Sequence, residues 1–493
     1  MEAKNAKFKM NKPIYDCFVT EEDCELMHEM TLRVFEETGV AVEHDEALEI
    51  FKKAGAKVDG NIVKMDRKLI EECIKLCPSN FEIVGRGMTT GVGPDYDPAV
   101  TIAFGPPYIL DHRTNQMRTG NLDDTVDFLK LTEGSDVINL QSIVVQDAPG
   151  LDQHLDNTFT PQQALMLKYC TKPLVPATAR PLAIKHQQVR DAVVEGIELI
   201  QNFYGVDRST IVNMPVICPL APLVLNYECI ENIFGLAQSN QAVQISILGM
   251  TNLSTPPTIM GTVVHDNVVT LAGIILCQLI KPGMPVVRCS LTGPVDLRTI
   301  TLCVGSPEHF LVCMASMALG RYYGIPTRVG GSQTDAYEPD FQAGVESFMG
   351  LSATYMCNAD FLLHVAGILG SFNICSLEKF LLDEETIRYN KRIVDGIRFS
   401  EKKAYTKQLN KVGPRGNFVE SRTPKDYREE TMFFDLFHKA GSSIATRDEK
   451  GTLREKTSKA VDKRLEDYKI PDATKEQKKL LNKWLPESHK YDI

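Results

Sequence analysis

The chain has 493 residues, of which 43% are hydrophobic and 24% are charged, close to the averages of globular proteins. These proportions exclude a disordered, collagen-like or coiled-coil protein. The formal charge of -10 at pH 7 argues against a nucleic acid or an anionic membrane as the main binding partner.

The N-terminal third contains the signals of helices and turns. Thr20 and the three acidic residues after it predict a helix N-terminus, followed by apolar residues at helical spacing. The predicted elements are a helix over 20–38, a helix from His44 to Gly55, a two-stranded turn over 58–63 and a helix from Asp66 to Pro78. Gly, Pro and β-forming residues then dominate 81–111. We predict an α+β lead-in over residues 1–120 that packs on the next domain.

From Asn121 onward, short runs rich in Val, Ile and Leu alternate with amphipathic stretches about every 35 to 40 residues. Runs with little alternation are typical of parallel strands covered on both faces. The predicted strands are Asn139 to Val145, Pro173 to Ala177, Thr210 to Ile217, Ala242 to Leu248, Met284 to Cys289, Ile325 to Val329, Asp360 to Val365 and an eighth near Lys379 to Leu382. This repetition favours a (β/α)8 TIM barrel over 121–385, since a doubly wound sheet would more often carry a Gly-x-Gly-x-x-Gly turn after its first strand.

The last part of the sequence is helical and increasingly charged. It ends in a Lys-rich segment that carries Leu480, Leu481 and Trp484. We predict a C-terminal helical region, residues 386–493, as a cap. Its charge run is typical of a solvated helix face, and a partner-binding surface is the alternative interpretation.

Cysteine usage and apolar runs bear on the compartment. Thirteen cysteines are scattered without a Cys-x-x-Cys pair. Residues 1–11 are Lys-rich and lack the apolar segment of a secretory signal. The longest apolar run, Val268 to Ile280, is shorter than the roughly 20 residues that span a bilayer. We therefore expect a cytoplasmic protein without a membrane span.

Reactive groups of such a barrel follow the carboxyl ends of its strands. After the sixth predicted strand, Gly330 and Gly331 precede a dense polar run. The candidates there and after the seventh strand are Gln333, Asp335, Tyr337, Glu338, Asp340, Gln342 and His364. Further strand-end candidates are Gln146, Asp147, Thr178, Arg180, Cys218, Thr251, Asn252 and Ser290. A polar surface loop is the alternative interpretation of the run after the sixth strand.

The sequence contains no dense metal-binding motif, because its ten histidines are dispersed and no His-Glu-x-x-His pattern occurs. A site assembled from distant strands remains the alternative, with Cys218, His265, Cys289, His309 and His364 as ligands. We predict that the protein needs no metal of its own.

Aromatic residues cluster near the lead-in strand and around the sixth and seventh units. Those near the lead-in strand are Tyr96, Phe104 and Tyr108, and the later ones include Tyr337 and Phe341. Rings around one cavity suit a quaternary ammonium, whose charge has no N–H to donate and is held by π faces. Core packing is the alternative for most of these rings.

Six segments are distinctive as a set. They are Asp111 to Arg118 after Gly105-Pro106-Pro107, Leu271 to Pro285, Ser306-Pro307-Glu308, Arg321 to Pro326, Gly330 to Glu346 and His364 to Gly367. Together they resemble the corrinoid-dependent trimethylamine methyltransferase superfamily, and the resemblance extends over nearly the whole chain. It implies a TIM barrel that moves a methyl group from a methylated amine to the Co(I) corrinoid of a small partner protein. The corrinoid (cobalamin) would then be carried by the partner, with none bound tightly by this chain.

The sequence departs from that superfamily in two places. The founding members carry pyrrolysine in the strand-six region, where 334–344 has ordinary residues here. Homologues without pyrrolysine are similar to this chain and imply quaternary amines such as glycine betaine, proline betaine or carnitine. Gly416-Asn417-Phe418 stands where the family more usually has Gly-Gly-His-Phe, so a His role there does not transfer.

A quaternary ammonium leaves as a neutral amine when its methyl carbon is attacked, so little acid–base machinery is required. The protein must hold the cation, align one methyl group and exclude water. From the resemblance we expect an aromatic box of Tyr96, Phe104, Tyr108, Tyr337 and Phe341, anionic support from Glu308 or Asp335, orientation by Gln333, Gln342 and His364, and Arg180 at a betaine carboxylate. Glu308, Asp335 and Tyr337 are the residues expected nearest the reaction.

Other functions stay open at this point. A TIM-barrel lyase or aldolase acting on a small acid would require a Schiff-base Lys or a metal at a strand end. Demethylation of trimethylamine and a non-enzymatic scaffold for a corrinoid protein are further alternatives. The expected partners are a cognate corrinoid protein and a small quaternary amine, with no nucleic acid and no membrane, and the sequence leaves a homo-oligomer open.

Overall fold

The computed structural model describes residues 17–145, 148, 159–176, 188–419, 425–439, 441, 443–444 and 449–492. The helices in these ranges are α1 Glu21–Glu37, α2 Asp45–Lys53, α3 Arg67–Leu76, α4 Leu122–Glu133, α5 Phe159–Tyr169, α6 Val189–Tyr204, α7 Tyr227–Gln238, α8 Ile259–Ile280, α9 Pro307–Tyr323, α10 Phe341–Met356, α11 Leu377–Val394, α12 Thr406–Val412, α13 Lys425–Glu430, α14 Leu453–Glu466 and α15 Lys475–Asn482.

The strands are short and most belong to small sheets. They are β1 Val40–Val42, β2 Lys57–Asp59, β3 Ile62–Lys64, β4 Phe81–Val84, β5 Thr89–Val92, β6 Ala99–Val100, β7 Tyr108–Leu110, β8 Met117–Thr119, β9 Val216–Ile217, β10 Val224–Leu225, β11 Val243–Ile247, β12 Met250–Thr251, β13 Val286–Ser290, β14 Gly293–Asp296, β15 Thr301–Leu302, β16 Thr327–Gly330, β17 Phe361–Leu363, β18 Ile368–Leu369 and β19 Ile374–Cys375.

The three N-terminal helices form where the capping signals predict them. In α1 the Thr20 side chain accepts from the Asp23 N–H, while the Asp23 carboxylate accepts from the Thr20 N–H. The His44 and Asp66 side chains accept from the Ala47 and Leu69 N–H groups in the first turns of α2 and α3. Because each cap satisfies N–H groups that the helix itself leaves unpaired, these boundaries are readable from local sequence.

A six-stranded parallel sheet in the order β6-β17-β16-β13-β11-β9 forms the centre of the molecule. Its longest ladder joins β11 and β13 over five residue pairs, from Val243 with Val286 to Ile247 with Ser290. Single parallel bridges continue from its ends: Thr101 with Leu140, Gln141 with Leu174, and Leu174 with Asn213. The predicted runs at 139–145 and 173–177 thus contribute bridges rather than ladders.

The predicted strand near Lys379 to Leu382 is wrong, because these residues lie in α11. The sheet instead gains β6, which pairs with Phe361 and Leu362 although the sequence analysis placed it in the lead-in. A run of only three apolar residues, Phe380 to Leu382, fits a buried strand and a buried helix equally well. Only the pairing across more than 260 residues identifies β6 as the strand.

The β4–β5 hairpin packs against one end of the parallel strands. Phe81, Ile83 and Val92 of the β4–β5 hairpin pack in one cluster with interior side chains such as Val287 and Phe361. The hairpin bonds to residues that precede strands, since the Val84 N–H donates to the Ile211 carbonyl and the Arg86 N–H donates to the Thr171 carbonyl. It therefore covers the amino ends of the strands, and the carboxyl ends face the opposite side.

Helix α8 is the longest described helix, and it is apolar enough to cross a membrane by length and composition. However, 83% of its most apolar window is buried in the protein. Gly273 lets it approach β11, because a Cβ there would lie 2.8 Å from Ile245 Cγ2. On its other side the Asn267 amide donates to Thr31 Oγ1 of α1 at 2.9 Å. Helix α8 thus lies between the sheet and the N-terminal helices as a core element.

The C-terminal helices are attached by polar contacts to earlier elements. Arg464 of α14 donates to Glu384 of α11 at 2.7 Å and to the Leu131 carbonyl of α4 at 2.6 Å. Gln477 of α15 donates to the Phe203 carbonyl of α6 at 2.9 Å. These helices therefore lie along the outside of α4, α6 and α11.

Candidate functional site

An aromatic cluster of one buried and two half-buried rings forms where β6 and β17 end. His364 follows β17 directly and has a φ of +58°, so the chain turns sharply at the strand end. Its ring stacks on Phe104, with centroids 5.6 Å apart and planes 18° apart. Phe372, from the loop after β18, lies on it as well at 4.8 Å. The sequence predicted Phe104 and His364 as site residues, and the structure brings them into contact.

Phe372 was missed by the sequence analysis. It has a φ of +74°, and Ser371 before it has a φ of +50°, so two consecutive non-glycine residues adopt left-handed backbone. Such conformations are costly for a bulky side chain and are often found at functional sites. Nothing in the local sequence signals this turn, because Ser and Phe do not favour it.

The His364 imidazole is uncharged at neutral pH. Burial lowers its pKa from 6.5 to about 3, and the positive charge of Arg328 contributes in the same direction. Its Nδ1 has no hydrogen-bond partner in the described part of the chain. A neutral imidazole in contact with two phenyl rings is a polarisable surface that a cation can approach without repulsion from the imidazole itself.

Gln333 lies in the loop after β16 and is fully buried. Both its amide oxygen and its amide nitrogen lack a hydrogen-bond partner among the described residues. The side chain folds back over Gly330, where a Cβ would approach Gln333 Nε2 to 1.7 Å. Gly330 is thus required by the position of this amide. A buried amide with a free donor and a free acceptor is suited to a ligand or an ordered water.

Arg328 on β16 is the second residue that the sequence analysis missed. It is fully buried, and its Nη2 donates to Ser246 Oγ of β11. Nε and Nη1 have no hydrogen-bond partner in the described ranges. A signal was present, because an Arg inside an apolar strand run is unusual unless something pairs with it. Four further buried oxygens have no hydrogen-bond partner among the described residues, and they lie on the parallel strands or at their bridges, at Thr101, Gln141, Asn213 and Gln244.

Asp335 holds three loops together. Its carboxylate accepts from the Val304 N–H at 2.9 Å, the Gly305 N–H at 3.1 Å and Ser371 Oγ at 2.6 Å. These groups come from the loop before α9 and from the turn that carries Phe372. The Asp335 carboxylate therefore accepts three hydrogen bonds from groups of the protein itself.

Gln342 is part of a neighbouring network around Glu346. The Glu346 carboxylate accepts from Gln342 Nε2 at 2.9 Å, from Thr334 Oγ1 at 2.5 Å and from the Asp335 N–H at 2.8 Å. Gln342 is exposed and lies one helical turn from Glu346 on α10. It is placed at the rim of the loop rather than in the buried cluster.

Four other predicted residues lie at the same end of the sheet but on its surface. Tyr337 and Phe341 are 75% and 87% exposed, and Tyr108 on β7 is also exposed. Glu308 is exposed in the first turn of α9. The structure places these side chains around the cluster, not inside it.

Tyr96 lies at the other end of the parallel strands. It precedes β6, its hydroxyl donates to Glu82 Oε1 at 3.2 Å, and its ring covers Gly91 of the β4–β5 hairpin. It lines a small cavity with Arg321 and Tyr355. The structure therefore does not bring Tyr96 together with Phe104, because the strand separates them. Arg180, predicted at a carboxylate, lies outside the described residues, as do Gln146, Asp147 and Thr178.

In the described ranges, no three His, Cys, Asp or Glu side chains are arranged to hold a metal. Of the residues considered for such a site, His265 Nδ1 lies 3.0 Å from Asp266 Oδ1, and His309 Nδ1 lies 3.0 Å from the Thr292 carbonyl. His309 Nε2 faces Cys313 Sγ at 3.7 Å. Each of these histidines is thus engaged locally.

Comparison with known proteins places the chain among methyltransferases. The trimethylamine methyltransferase (MTTB) family matches residues 2–489. The chain is 41% identical over 98% of its length to the full length of a proline betaine:corrinoid methyltransferase of Eubacterium limosum. It is 40% identical over 97% of its length to 99% of an L-carnitine:corrinoid methyltransferase of the same organism. Among solved structures, the Methanosarcina barkeri monomethylamine methyltransferase has a similar fold, with a TM-score of 0.50, 12% identity and coverage of 94% of this chain and 100% of that chain.

Proposed function

The chain belongs to the trimethylamine methyltransferase (MTTB) family, and we propose that its substrates are quaternary amines of the betaine type. It transfers a methyl group from the quaternary amine to the corrinoid of a partner protein. The observation that carries the proposal is the cluster of Phe104, His364 and Phe372, whose three rings include a buried, neutral imidazole. Such a cluster suits a cation that offers no N–H.

The parallel strands and bridges support a closed (β/α)8 barrel as the scaffold. Strand β6 pairs with β17 through Ala99 and Val100, and the next residue, Thr101, bridges to Leu140. The bridges through Leu174 then lead to Asn213, just before β9 at the far edge of the six-stranded sheet. The eight segments then have parallel neighbours on both sides, and their carboxyl ends enclose the cluster.

Three rings and one amide side chain bind the substrate. Phe104, His364 and Phe372 hold the ammonium through their faces, while Gln333 supplies a donor and an acceptor to orient the rest of the substrate. When a methyl carbon is attacked, the C–N bond breaks and its electron pair stays on nitrogen as a neutral tertiary amine. The leaving amine therefore needs no proton from the protein, which agrees with an imidazole that stays neutral. The partner's Co(I) corrinoid supplies the nucleophile.

The surface around the cluster supports docking of that partner. Exposed apolar side chains follow the carboxyl ends of the parallel strands: Leu220 after β9, Leu248 after β11, Leu297 and Ile300 after β13, and Tyr337 and Phe341 after β16. We call these six residues the apolar rim. Several large apolar residues exposed at one end of the strands are typical of a protein interface.

None of the thirteen cysteines forms a disulfide. A strongly reducing Co(I) acceptor requires a reducing compartment, and free cysteines are typical of one. We therefore place the reaction in the cytoplasm.

A spectral assay tests the function. The purified protein is mixed with its corrinoid partner in the Co(I) state and with proline betaine, carnitine, glycine betaine, choline or trimethylamine in turn. We expect conversion from Co(I) to methyl-Co(III) with at least one betaine. Faster demethylation of trimethylamine than of any betaine would contradict the substrate class. Absence of any methyl transfer, with turnover of a small carboxylic acid instead, would favour a lyase or aldolase.

A further inference from the structure

We propose that Arg328 binds the carboxylate of the substrate, so that the protein selects quaternary amines that also carry an acidic group. This inference rests on the proposed function and adds a specificity-determining residue on β16. The role is the one that the sequence analysis expected of Arg180, which lies outside the described residues.

The first step is the missing partner. Arg328 is fully buried, yet among the described residues no carboxylate lies within 4.0 Å of its guanidinium. In the described ranges its hydrogen bond goes to Ser246, which is neutral, and its guanidinium also approaches the Cys289 thiol. A buried charge without a counter-charge is costly, so arginines in this position are usually paired with an anion. The free Nε and Nη1 each share an edge of the guanidinium with Nη2, and a carboxylate can accept two bonds at such an edge.

The second step is the direction of the side chain. Ile245 of β11 faces Gly273 on α8, so its neighbour Ser246 faces the opposite side of the sheet, and Arg328 reaches Ser246. On this side of the sheet Arg328 pairs with Cys289 and Phe361, and the interior cluster that contains these two residues packs against Phe104 and Phe372. The positive charge of Arg328 also lowers the pKa of His364. Arg328 and the aromatic cluster therefore lie on one side of the sheet, in the proposed substrate space.

Arg288 on the adjacent strand provides the contrast. It is equally buried, but it donates to Asn267 of α8 at 3.1 Å and to the Ser316 carbonyl of α9 at 3.0 Å. Its side chain thus lies in the layer between the sheet and the helices. Of these two buried arginines, only Arg328 faces the proposed substrate space.

The third step is charge matching. A betaine has a quaternary ammonium at one end and a carboxylate at the other, and the space offers rings for the first and a guanidinium for the second. A quaternary amine without a carboxylate would bring a second positive charge near Arg328 with nothing to neutralise it. The same arginine therefore attracts betaines and disfavours simple quaternary amines, which is how a site excludes a near-substrate.

The wild-type protein provides the first test. Calorimetric Kd values are measured for proline betaine and for its methyl ester, which keeps the ammonium and the ring but loses the negative charge. We expect the ester to bind roughly 30-fold to 1,000-fold more weakly, the range for losing one partner of a buried charge pair. Equal affinity of the acid and the ester would overturn the proposal.

Variants provide the second test. Arg328→Gln should weaken the binding of proline betaine by roughly 100-fold. It should strengthen the binding of the ester by up to about threefold, because the repulsion between two positive charges is removed. Arg328→Lys keeps the charge but loses the planar guanidinium, so its affinity for proline betaine should lie between those of Arg328→Gln and the wild type. The matched control Arg288→Gln removes the other buried guanidinium, so it should lower Tm without changing the ratio of acid to ester affinity. A ratio in Arg328→Gln equal to that of the wild type would overturn the proposal.

These outcomes separate the inference from the proposed function. If betaines bind with the expected preference but no methyl group reaches the corrinoid, the proposed function is contradicted and the carboxylate site at Arg328 is supported. If methyl transfer occurs equally well from choline and from betaines, the function stands and the inference fails. If Arg328→Gln does not fold, the ratio of acid to ester affinity in the wild type still decides.

Discussion

At the scale of single residues, the titration of His364 makes the stability of the protein depend on pH. Its pKa is near 6.5 when unfolded and about 3 when folded, because the folded ring is buried and close to Arg328. Below pH 6.5 the unfolded chain binds a proton that the folded chain rejects. The stabilisation is therefore complete above pH 6.5 and is lost progressively as the pH falls toward 3.

We predict that His364→Asn removes this pH dependence. Asn tolerates the left-handed backbone of position 364 and does not titrate. From pH 6 to pH 4, the wild-type free energy of unfolding should fall up to about 1.4 kcal/mol per pH unit more steeply than that of the variant. Urea denaturation at each pH measures both slopes. The exposed His438 is the control, and His438→Asn should keep the wild-type slope. Parallel curves for wild type and His364→Asn would contradict the prediction.

Tyr337 tests the aromatic part of the binding site from its rim. The ring is 75% exposed, and a Cβ on Gly370 would lie 3.7 Å from its Cδ1. If its face contacts the cation, Tyr337→Ala should weaken betaine binding by about 0.5 to 2 kcal/mol, and Tyr337→Phe by less. Calorimetric Kd values check this order. Equal losses in the two variants would show instead that the hydroxyl orients the substrate. Neither change should lower Tm, because the ring is not part of the core.

At the scale of elements, the strand ends that form the site rest on a buried ion pair. Lys379 Nζ contacts Asp383 at 2.6 Å, Ser347 Oγ at 2.8 Å and the Ser332 carbonyl at 3.3 Å. Asp383 in turn accepts from the Gly367 N–H at 2.9 Å. One pair on α11 thus joins the loop after β16 to the loop after β17.

We predict that Lys379→Met costs about 3 to 5 kcal/mol of stability, because it leaves the Asp383 carboxylate buried without its cation. The double variant Lys379→Met with Asp383→Asn should recover part of this loss, since no uncompensated charge remains. Denaturant titration measures the three proteins. A double variant less stable than Lys379→Met alone would show that the Gly367 contact, and not the charge pair, carries the stability.

At the scale of the whole molecule, the reaction should need no metal bound by this chain. The quaternary ammonium already carries the charge that activates its methyl group, and the cobalt comes with the partner. We predict that protein treated with a chelator and then freed of it keeps its full rate of methyl transfer with separately prepared corrinoid partner. Loss of activity that zinc restores would contradict this prediction.

The apolar rim gives a second prediction at this scale. Leu297 and Ile300 are each 58% exposed on the hairpin after β13. Leu297→Ser and Ile300→Ser should each lower the rate with the corrinoid partner by roughly tenfold, the effect of removing a contact worth more than 1 kcal/mol. Calorimetric affinity for the betaine should stay unchanged. Ile397→Ser is the control, because Ile397 is 74% exposed beyond the end of α11, toward the amino ends of the strands. Equal effects of Ile397→Ser and Leu297→Ser would contradict docking at the rim.

The sequence by itself determined the elements whose signals are local. Thr20, His44 and Asp66 mark helix starts because a cap acts within three residues. Apolar runs mark most of the parallel strands because burial on both faces requires them. The run after β16 and His364 after β17 could be named as site candidates for the same reason, since strand ends of a parallel sheet meet at one edge.

Only the tertiary structure decided what depends on distant contacts. It made β6 a strand of the sheet and the run at Lys379 a helix, because pairing with β17 outweighs local apolar content. It placed Tyr96 at the end of the parallel strands opposite Phe104. It also brought Phe372 to the aromatic cluster through left-handed backbone, which Ser371 and Phe372 do not favour. Among the residues that the structure describes, it also leaves Arg328 buried without an anion. Burial and partnership are properties of the packed molecule, so residue spacing along the chain does not specify them.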